Sequence, residues 1–453
     1  MGDDTRARLI AVGVEALADA LMDLASRHDD AADMLQRLLA SPKENLAGFR
    51  SGLEDLASQA RRGRFVEWRQ VSEYAMEVAD VLLDLEAAEP DPSTGIECVA
   101  DFFEAFEPII EACDDSSGQV SDVFRGDAAD HFVGYAKRCE DNELVEETVF
   151  RLCKEDGYGL TDELVRRAPE YLPKEGLLRL TDRFKEAAQA EPEEGKRWPF
   201  LYPLETLAGH LGEPDLVVWC KQMRSNRLTE ADYIDIGEAY LKASNAEQAL
   251  EWLRKTSPRN SFEEMRHESL MMAALEQTGD LAGATEIAWR CFRQHRSGEE
   301  LATLLTYIGE GERERAIDEA WKLIQDSPTL RISDLEFLVE HGRLPGAASQ
   351  LVVRSGELDG SCYMSLTPLA EAFEAAAQPL AASLVYRALL DSILARGYTK
   401  AYRYGARYFA ALGRLAESVD NWQGKAAHDK YVAGIREKHG RKWSFWKRVE
   451  EGG

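Results

Sequence analysis

Three ionisable side chains, Asp127, Asp130 and His131, form the tightest cluster of carboxylate and imidazole groups in the 453-residue sequence. At spacings of three and four residues they share one face of a helix, as an acid–base pair or a metal site requires. A histidine beside acids on a helix is more commonly a solvated surface or a local ion pair, and no second cluster completes a site. The sequence therefore predicts no catalytic residue, no metal ligand and no cofactor.

Motifs for other enzyme chemistries are missing from the sequence. Gly195-Lys196 and Gly424-Lys425 lack the glycine pattern and the Ser or Thr of a phosphate-binding loop, and neither H-E-x-x-H nor G-x-S-x-G occurs. The acidic turn at 114–118 lacks the spaced oxygen ligands of a calcium loop. His428 and His439 would lie about 16 Å apart on one helix, too far to share a metal. We therefore expect a protein that is not an enzyme.

The clearest charge anomaly lies between residues 425 and 448. Eight Lys and Arg stand there against two acids, whereas the whole chain has 54 Lys and Arg, 82 Asp and Glu, and a net charge of −28. Aromatic residues lie between the bases, a composition that can grip phosphates and stack on nucleobases. The competing interpretation, which we favour, is a terminal helix that inserts its aromatic side chains into the last hairpin as a cap. The candidate partner-binding residues of this segment are Arg441, Lys442, Trp443 and Trp446.

Apolar residues recur at intervals of three and four along almost the whole chain, and only 15 residues are proline. This period is typical of helices, and strand-like runs such as 216–219 and 351–353 are too short to indicate a sheet. Breaks rich in Pro, Asp, Ser and Gly separate segments with the length of one helix or one helical hairpin. The sequence therefore predicts an all-α protein.

The clearest repeat unit resembles the tetratricopeptide hairpin, in which small residues stand where two helices cross closely. Its matching positions are Tyr233, Ile236, Gly237, Tyr240, Ala249 and Leu253. Small residues equivalent to Ala249 recur at Ala284, Ala316, Ala347 and Ala382, at intervals of 35, 32, 31 and 35. The mean of about 33 is close to the 34 residues of that unit. Because an Ala-rich chain offers alanine at many spacings, an ordinary helical bundle is the alternative.

The first 125 residues lack this repeat and predict a separate bundle, with helices near 6–27, 29–40, 45–61, 64–88 and 94–113. In the fourth helix the acids from Glu73 to Asp84 face away from the apolar residues between Val71 and Leu82, as in a surface helix. The predicted architecture has three parts. They are an N-terminal helical bundle at 1–125, a right-handed, tetratricopeptide-like α-solenoid at 126–424, and a basic, aromatic capping helix at 425–453.

Two stretches carry a family resemblance. One is the run from Asp114 to Phe124, and the other is the pattern His428-x-x-Tyr431-x-x-x-Ile435-x-x-x-His439-Gly440-Arg441-Lys442-x-x-Phe445-Trp446. Together they resemble an uncharacterised family of bacterial helical-repeat proteins of unknown function, whose C-terminal region is similar to that of some SWIM zinc-finger proteins. The resemblance covers the chain from about residue 45. A SWIM finger requires C-x-C followed by C-x-H, which this sequence lacks, so the resemblance implies a fold and no zinc site.

A helical-repeat chain without catalytic motifs predicts a protein–protein interaction scaffold or adaptor. In the tetratricopeptide register the first helices of the units line a groove, and the acidic balance favours a basic partner. The candidate lining residues are Glu238, Lys242, Glu276 and Gln277. The alternative is a nucleic-acid accessory protein that uses the basic C-terminal segment. Neither interpretation fixes an oligomeric state.

Seven scattered cysteines without a C-x-x-C motif indicate reduced thiols and a cytoplasmic protein. The chain has no run of about 18 apolar residues, so we expect no membrane span. The first eight residues carry acids before any apolar stretch, which differs from a signal peptide.

Overall fold

The computed structural model describes residues 3–63, 65–225, 227–258 and 261–451. These residues form an all-α fold, as predicted. An isolated parallel bridge between Val66 and Cys113 is the only extended pairing in the described ranges, and no strand occurs there. The chain separates into two compact units, the N-terminal unit at 1–258 and the C-terminal unit at 259–453. The boundaries predicted at 125 and 424 stay predictions.

The helices of the N-terminal unit are α1 (Asp3–Val12), α2 (Val14–Ala25), α3 (Asp29–Leu39), α4 (Pro42–Arg61), α5 (Val71–Ala88), α6 (Pro92–Glu104), α7 (Phe106–Glu111), α8 (Gln119–Val123), a π-helical turn (Phe124–Ala128), α9 (Ala129–Ala136), α10 (Asn142–Glu155), α11 (Asp162–Arg166), α12 (Lys174–Ala190), α13 (Trp198–Leu211), α14 (Pro214–Arg224), α15 (Glu230–Lys242) and α16 (Ala246–Leu253). Those of the C-terminal unit are α17 (Ser261–Thr278), α18 (Leu281–His295), α19 (Gly298–Ile308), α20 (Arg313–Asp326), α21 (Ile332–Glu340), α22 (Leu344–Arg354), α23 (Tyr363–Ala375), α24 (Pro379–Arg396), α25 (Tyr402–Ala416), α26 (His428–His439) and α27 (Trp443–Glu450). Short 3₁₀ turns at Ala168–Glu170, Glu194–Lys196, Glu310–Glu312, Ser355–Glu357 and Thr399–Ala401 join some of them.

Helix starts follow from local capping chemistry. The hydroxyl of Ser41 accepts a hydrogen bond from the backbone N–H of Glu44, whose carboxylate accepts from the backbone N–H of Ser41 at 2.8 Å. Thr229 and Asp232 make the same reciprocal pair at the start of α15. Each pair satisfies N–H groups that the first helical turn leaves without partners.

The predicted helices of the first 125 residues form, with three differences. The first is divided at Gly13, whose φ is +100°. The fourth helix begins at Val71, because backbone hydrogen bonds hold Val66 in an extended conformation. The N–H of Val66 donates to the carbonyl oxygen of Ala112, and its carbonyl oxygen accepts from the N–H of Asp114. Arg64, the predicted first residue of this helix, lies outside the described residues. The fifth breaks at Ala105, and Pro108 lacks the N–H that a continuous helix would bond to Glu104.

The alanine markers of the repeat occupy equivalent places in the structure. Each is the fourth residue of the second helix of a hairpin, in α16, α18, α20, α22 and α24 in turn. Each has no exposed surface; the five residues are Ala249, Ala284, Ala316, Ala347 and Ala382. Since a chance spacing of alanines would not give one helix position five times, the predicted helical repeat is confirmed, and the tetratricopeptide register of the groove stays a prediction.

Close helix crossing explains the glycine of the first hairpin. A Cβ built on Gly237 in α15 would lie 2.6 Å from Cγ and Cδ2 of Leu253 in α16, and Leu253 is completely buried. A methyl group therefore fits only if the packed helices move apart.

We predict that Gly237→Ala lowers the free energy of unfolding by about 1 to 3 kcal/mol, the usual cost of overpacking. Gly209→Ala is the matched control, because Gly209 lies in α13 with nothing within 4 Å of an added Cβ. The control should be neutral or stabilising by up to about 1 kcal/mol. Chemical denaturation followed by circular dichroism measures both, and an equal effect of the two substitutions would contradict the crossing geometry.

Candidate functional site

The two carboxylates of the acid and imidazole cluster lie at exposed positions, in α9 and in the turn before it. Asp130 is 71% exposed and pairs with Arg167 through Oδ1 and Nη1 at 2.5 Å. Asp127 lies in the π-helical turn, exposed to solvent. In the described ranges no group of three or more His, Cys, Asp or Glu side chains is arranged to hold a metal ion. The local ion pair weighed in the sequence analysis is therefore what the structure contains.

The four candidate groove residues lie on the first helices of two hairpins, α15 in the N-terminal unit and α17 in the C-terminal unit. Glu238 and Lys242 form an ion pair on α15, with Oε1 and Nζ 2.7 Å apart. Glu276 lies on α17 and accepts a hydrogen bond from Tyr307 of α19. Burial of Tyr307, followed by this hydrogen bond and the charge of Glu276, raises the pKa of Tyr307 to about 12. Gln277, beside Glu276, is exposed. Their role in partner binding stays a prediction.

The basic, aromatic C-terminal segment folds as two helices, α26 and α27, where a single capping helix was predicted. Phe445 is completely buried, with ring centroids 5.7 Å from Tyr402 and 5.0 Å from Trp446. The indole N–H of Trp446 donates to the backbone oxygen of His439 at 3.0 Å. Trp443, by contrast, is 71% exposed. The segment thus packs onto α25 through Phe445 and Trp446, which leaves Trp443 as the exposed indole.

An aromatic clamp, formed by Arg387 between Trp422 and Tyr431, fastens the same segment to α24. The guanidinium carbon lies 4.3 Å and 4.4 Å from the two ring centroids, and Nη1 donates to the backbone oxygen of Ala426 at 2.7 Å. The Tyr431 hydroxyl donates to Oδ1 of Asp391 at 2.9 Å. Burial lowers the pKa of Arg387 and raises the pKa of Tyr431. These contacts hold the segment in place without using its many surface bases.

A cleft of about 1040 Å³ opens between α23 and α25, with α24 as its floor. Its floor helix is buried around nearly its whole circumference, as expected for the central helix of a unit. Residues at intervals of three and four on α23 and α25 project into the cleft. We call it the Tyr–Arg cleft. Its tyrosines are 363, 386, 398, 404 and 408, its bases are Arg396, Lys400, Arg403, Arg407 and Arg414, and its acids are Glu371 and Glu374.

The inner wall of the Tyr–Arg cleft is held by a tyrosine network. The rings of Tyr386 and Tyr408 stack with centroids 5.5 Å apart. The Tyr408 hydroxyl lies 3.0 Å from Oγ1 of Thr367, and the Tyr386 hydroxyl donates to Oε2 of Glu374 at 3.2 Å. Arg414 donates to the other oxygen of Glu374 at 3.1 Å. This network holds the inner wall in place and engages the carboxylate of Glu374, one of the two acids of the lining.

The outer part of the cleft presents cations and exposed rings, and Arg403 donates to the hydroxyl of Tyr404 at 2.7 Å. Among the described residues no carboxylate forms an ion pair with Lys400, Arg403 or Arg407. Tyr363 and Tyr398 are 58% and 55% exposed. The cleft can therefore attract an anionic ligand and pack apolar groups on its rings.

Lys442, one of the candidate partner-binding residues of the C-terminal segment, lies at the edge of this cleft. Its Nζ would be 3.4 Å from a Cβ built on Gly397, the residue between Arg396 and Tyr398 of the lining. The remaining lining residues were missed in the sequence. The sequence feature that could have indicated this cleft is the run from Tyr398 to Tyr408, in which four tyrosines and three bases fall within eleven residues.

The comparisons with known proteins concern family and fold. A family of unknown function, DUF6880, matches residues 5–205 and 196–448. The chain belongs to this family. No curated protein matches it. Among solved structures, a circular tandem repeat protein with novel repeat topology and enhanced subunit contact surfaces matches with 15% identity and a TM-score of 0.18, covering 91% of this chain and 99% of its own.

No helix in the described ranges combines the length and the apolar composition needed to cross a membrane.

Proposed function

We propose that this member of the family is a non-catalytic scaffold or adaptor that binds another protein on the surface of its helical repeats. The Tyr–Arg cleft is the observation that carries the proposal. It lies between first helices of successive hairpins, and its exposed side chains include three Tyr, one Met and four Arg, types that are enriched at protein interfaces, beside Glu371 and Lys400. Stacked hairpins provide such a surface without any catalytic group.

A cytoplasmic location belongs to the proposal. It is supported by the seven cysteines, all within the described ranges, which form no disulfide. Bacterial origin and the relation to SWIM zinc-finger proteins stay predictions. The alternative of nucleic-acid binding by the C-terminal segment is weakened by geometry, because Phe445 and Trp446 pack inward and cannot stack on bases.

Affinity purification of the tagged full-length protein from its source cells, with and without nuclease, tests the proposal. We expect a stoichiometric polypeptide that survives nuclease treatment. The double substitution Glu238→Lys and Glu276→Lys tests whether the predicted groove residues contribute, and we expect it to weaken capture without unfolding the chain. Recovery of nucleic acid alone, or of partners that nuclease removes, would contradict a protein-binding scaffold.

A further inference from the structure

We propose that the Tyr–Arg cleft binds an acidic segment of the partner polypeptide. The inference rests on the proposed function, because it assigns the chemistry of the partner that the repeat surface binds. It differs from the expectation drawn from the net charge, which favours a basic partner for the chain as a whole.

Charge is distributed unevenly along the chain. From Pro379 to Arg448 there are fourteen Lys and Arg against five Asp and Glu, a net charge of +9, which leaves −37 for all other residues. Helices α24 to α26, the first six residues of α27 and the connections between them lie in this range. An acidic ligand is repelled by most of the chain and attracted by this region, so the charge distribution would guide it to the cleft.

The size of the cleft favours a chain segment over a small molecule. Its volume of about 1040 Å³ is at or above the upper end of the roughly 300 to 1,000 Å³ of small-molecule sites. Tyr363, Met364, Tyr398 and Tyr404 are between 40% and 74% exposed around it. These rings and the thioether can cover apolar side chains that lie between the acids of a peptide.

The mixed lining favours a polypeptide over a nucleic acid. A nucleic-acid backbone carries a charge at each nucleotide and would bring phosphates next to Glu371 and Glu374. A peptide can place its carboxylates opposite Arg403 and Arg407 and donate backbone N–H groups to Glu371. Moreover, Tyr386 and Tyr408 already stack on each other, so they offer no free slot for a base.

The test measures binding of a fluorescein-labelled twelve-residue peptide, with Glu at alternate positions and Leu, Ala and Ser between, to the full-length protein by fluorescence anisotropy. The cleft variant is Arg403→Gln with Arg407→Gln, both at exposed positions. The matched control is Arg313→Gln with Arg315→Gln, on α20 and outside the cleft lining. A peptide with Gln in place of Glu and a twelve-nucleotide thymidine strand are the ligand controls.

We expect the Glu peptide to bind, and its Kd to rise about tenfold or more in the cleft variant. The Kd should stay within about twofold in the control variant, and added salt should weaken binding. Unchanged thermal melting of both variants shows that they fold. Absence of Glu-peptide binding, an equal Kd in both variants, or stronger binding of the thymidine strand would overturn the proposal.

The two proposals fail in different ways. If purification recovers a polypeptide whose binding is insensitive to Arg403→Gln with Arg407→Gln, the acidic-segment inference fails and the scaffold proposal stands. If no polypeptide is recovered and the thymidine strand binds, both fail.

Discussion

Replacing Lys221 with methionine is expected to lower the free energy of unfolding by about 3 to 5 kcal/mol, the usual cost of leaving buried charges without their partner. The Lys221 side chain is 4% exposed, and its Nζ lies 2.7 Å from Oε1 of Glu205 and 2.7 Å from Oδ2 of Asp235. Asp232 is 3.8 Å away and also pairs with Arg224. Methionine keeps the length of the side chain and removes the charge that these carboxylates share.

The loss should depend on pH. Burial raises the pKa of Asp232, but hydrogen bonds from Thr229 and the charges of Arg224 and Lys221 outweigh it, so the pKa is lowered in the folded state. The stabilisation from this carboxylate is therefore present above its unfolded pKa and is lost as pH falls through its folded pKa. Without Lys221 one of the charges that lower the pKa of Asp232 is lost, so the deficit of the variant should be largest near neutral pH and smaller in acid.

Urea unfolding of Lys221→Met at neutral and acidic pH measures this effect. The control is Lys242→Met, since Lys242 is 73% exposed and pairs with Glu238 at 2.7 Å. An exposed pair of this kind contributes about 0 to 1 kcal/mol. Comparable losses in the two variants would show that the buried cluster does not stabilise the N-terminal unit as described.

Phe445→Ala should also cost about 3 to 5 kcal/mol, through lost apolar burial and the cavity left behind. Its ring is completely buried and packs edge-on against Tyr402 and Phe409, with centroids 5.7 Å and 6.4 Å away. A Cβ on Gly405 would lie 3.2 Å from the ring, so the site is tightly filled. Losing this contact removes the main apolar anchor of α27.

Limited proteolysis and chemical denaturation measure the loss, with Trp443→Ala as the matched aromatic control. Trp443 is 71% exposed, so its removal should change stability by no more than about 0.5 kcal/mol. We expect early cleavage near α26 and α27 in Phe445→Ala alone. A stable, protease-resistant Phe445→Ala protein would contradict the capping role.

The sequence was sufficient for features that depend on local periodicity. The apolar residues predicted on the buried face of the fourth helix, such as Val78 and Leu82, are buried in α5. The alanine spacing located the second helix of each hairpin because a close crossing accepts only a small residue, and that requirement repeats with the unit.

Features that depend on distant pairings could not be predicted. Tyr386 meets Tyr408 only after α24 and α25 pack, and Arg387 meets Tyr431 across 44 residues. The excess of Lys and Arg in the last segment marked it as unusual in charge. That excess did not indicate which aromatic residues are buried, as Phe445 is, and which are exposed, as Trp443 is. The Tyr–Arg cleft requires three helices in register, so its lining is scattered from 360 to 414 in the sequence.

Site-specific photocrosslinking in the source cells tests most directly whether a polypeptide occupies the Tyr–Arg cleft. A p-benzoylphenylalanine at position 363 replaces a tyrosine that is 58% exposed in the lining, and the same group at Val353, 73% exposed on α22, is the control. Mass spectrometry identifies the attached peptide. We predict an adduct specific to position 363, on an acid-rich segment of a polypeptide. No adduct above the Val353 control, or an adduct that nuclease removes, would contradict the binding of a protein at this surface.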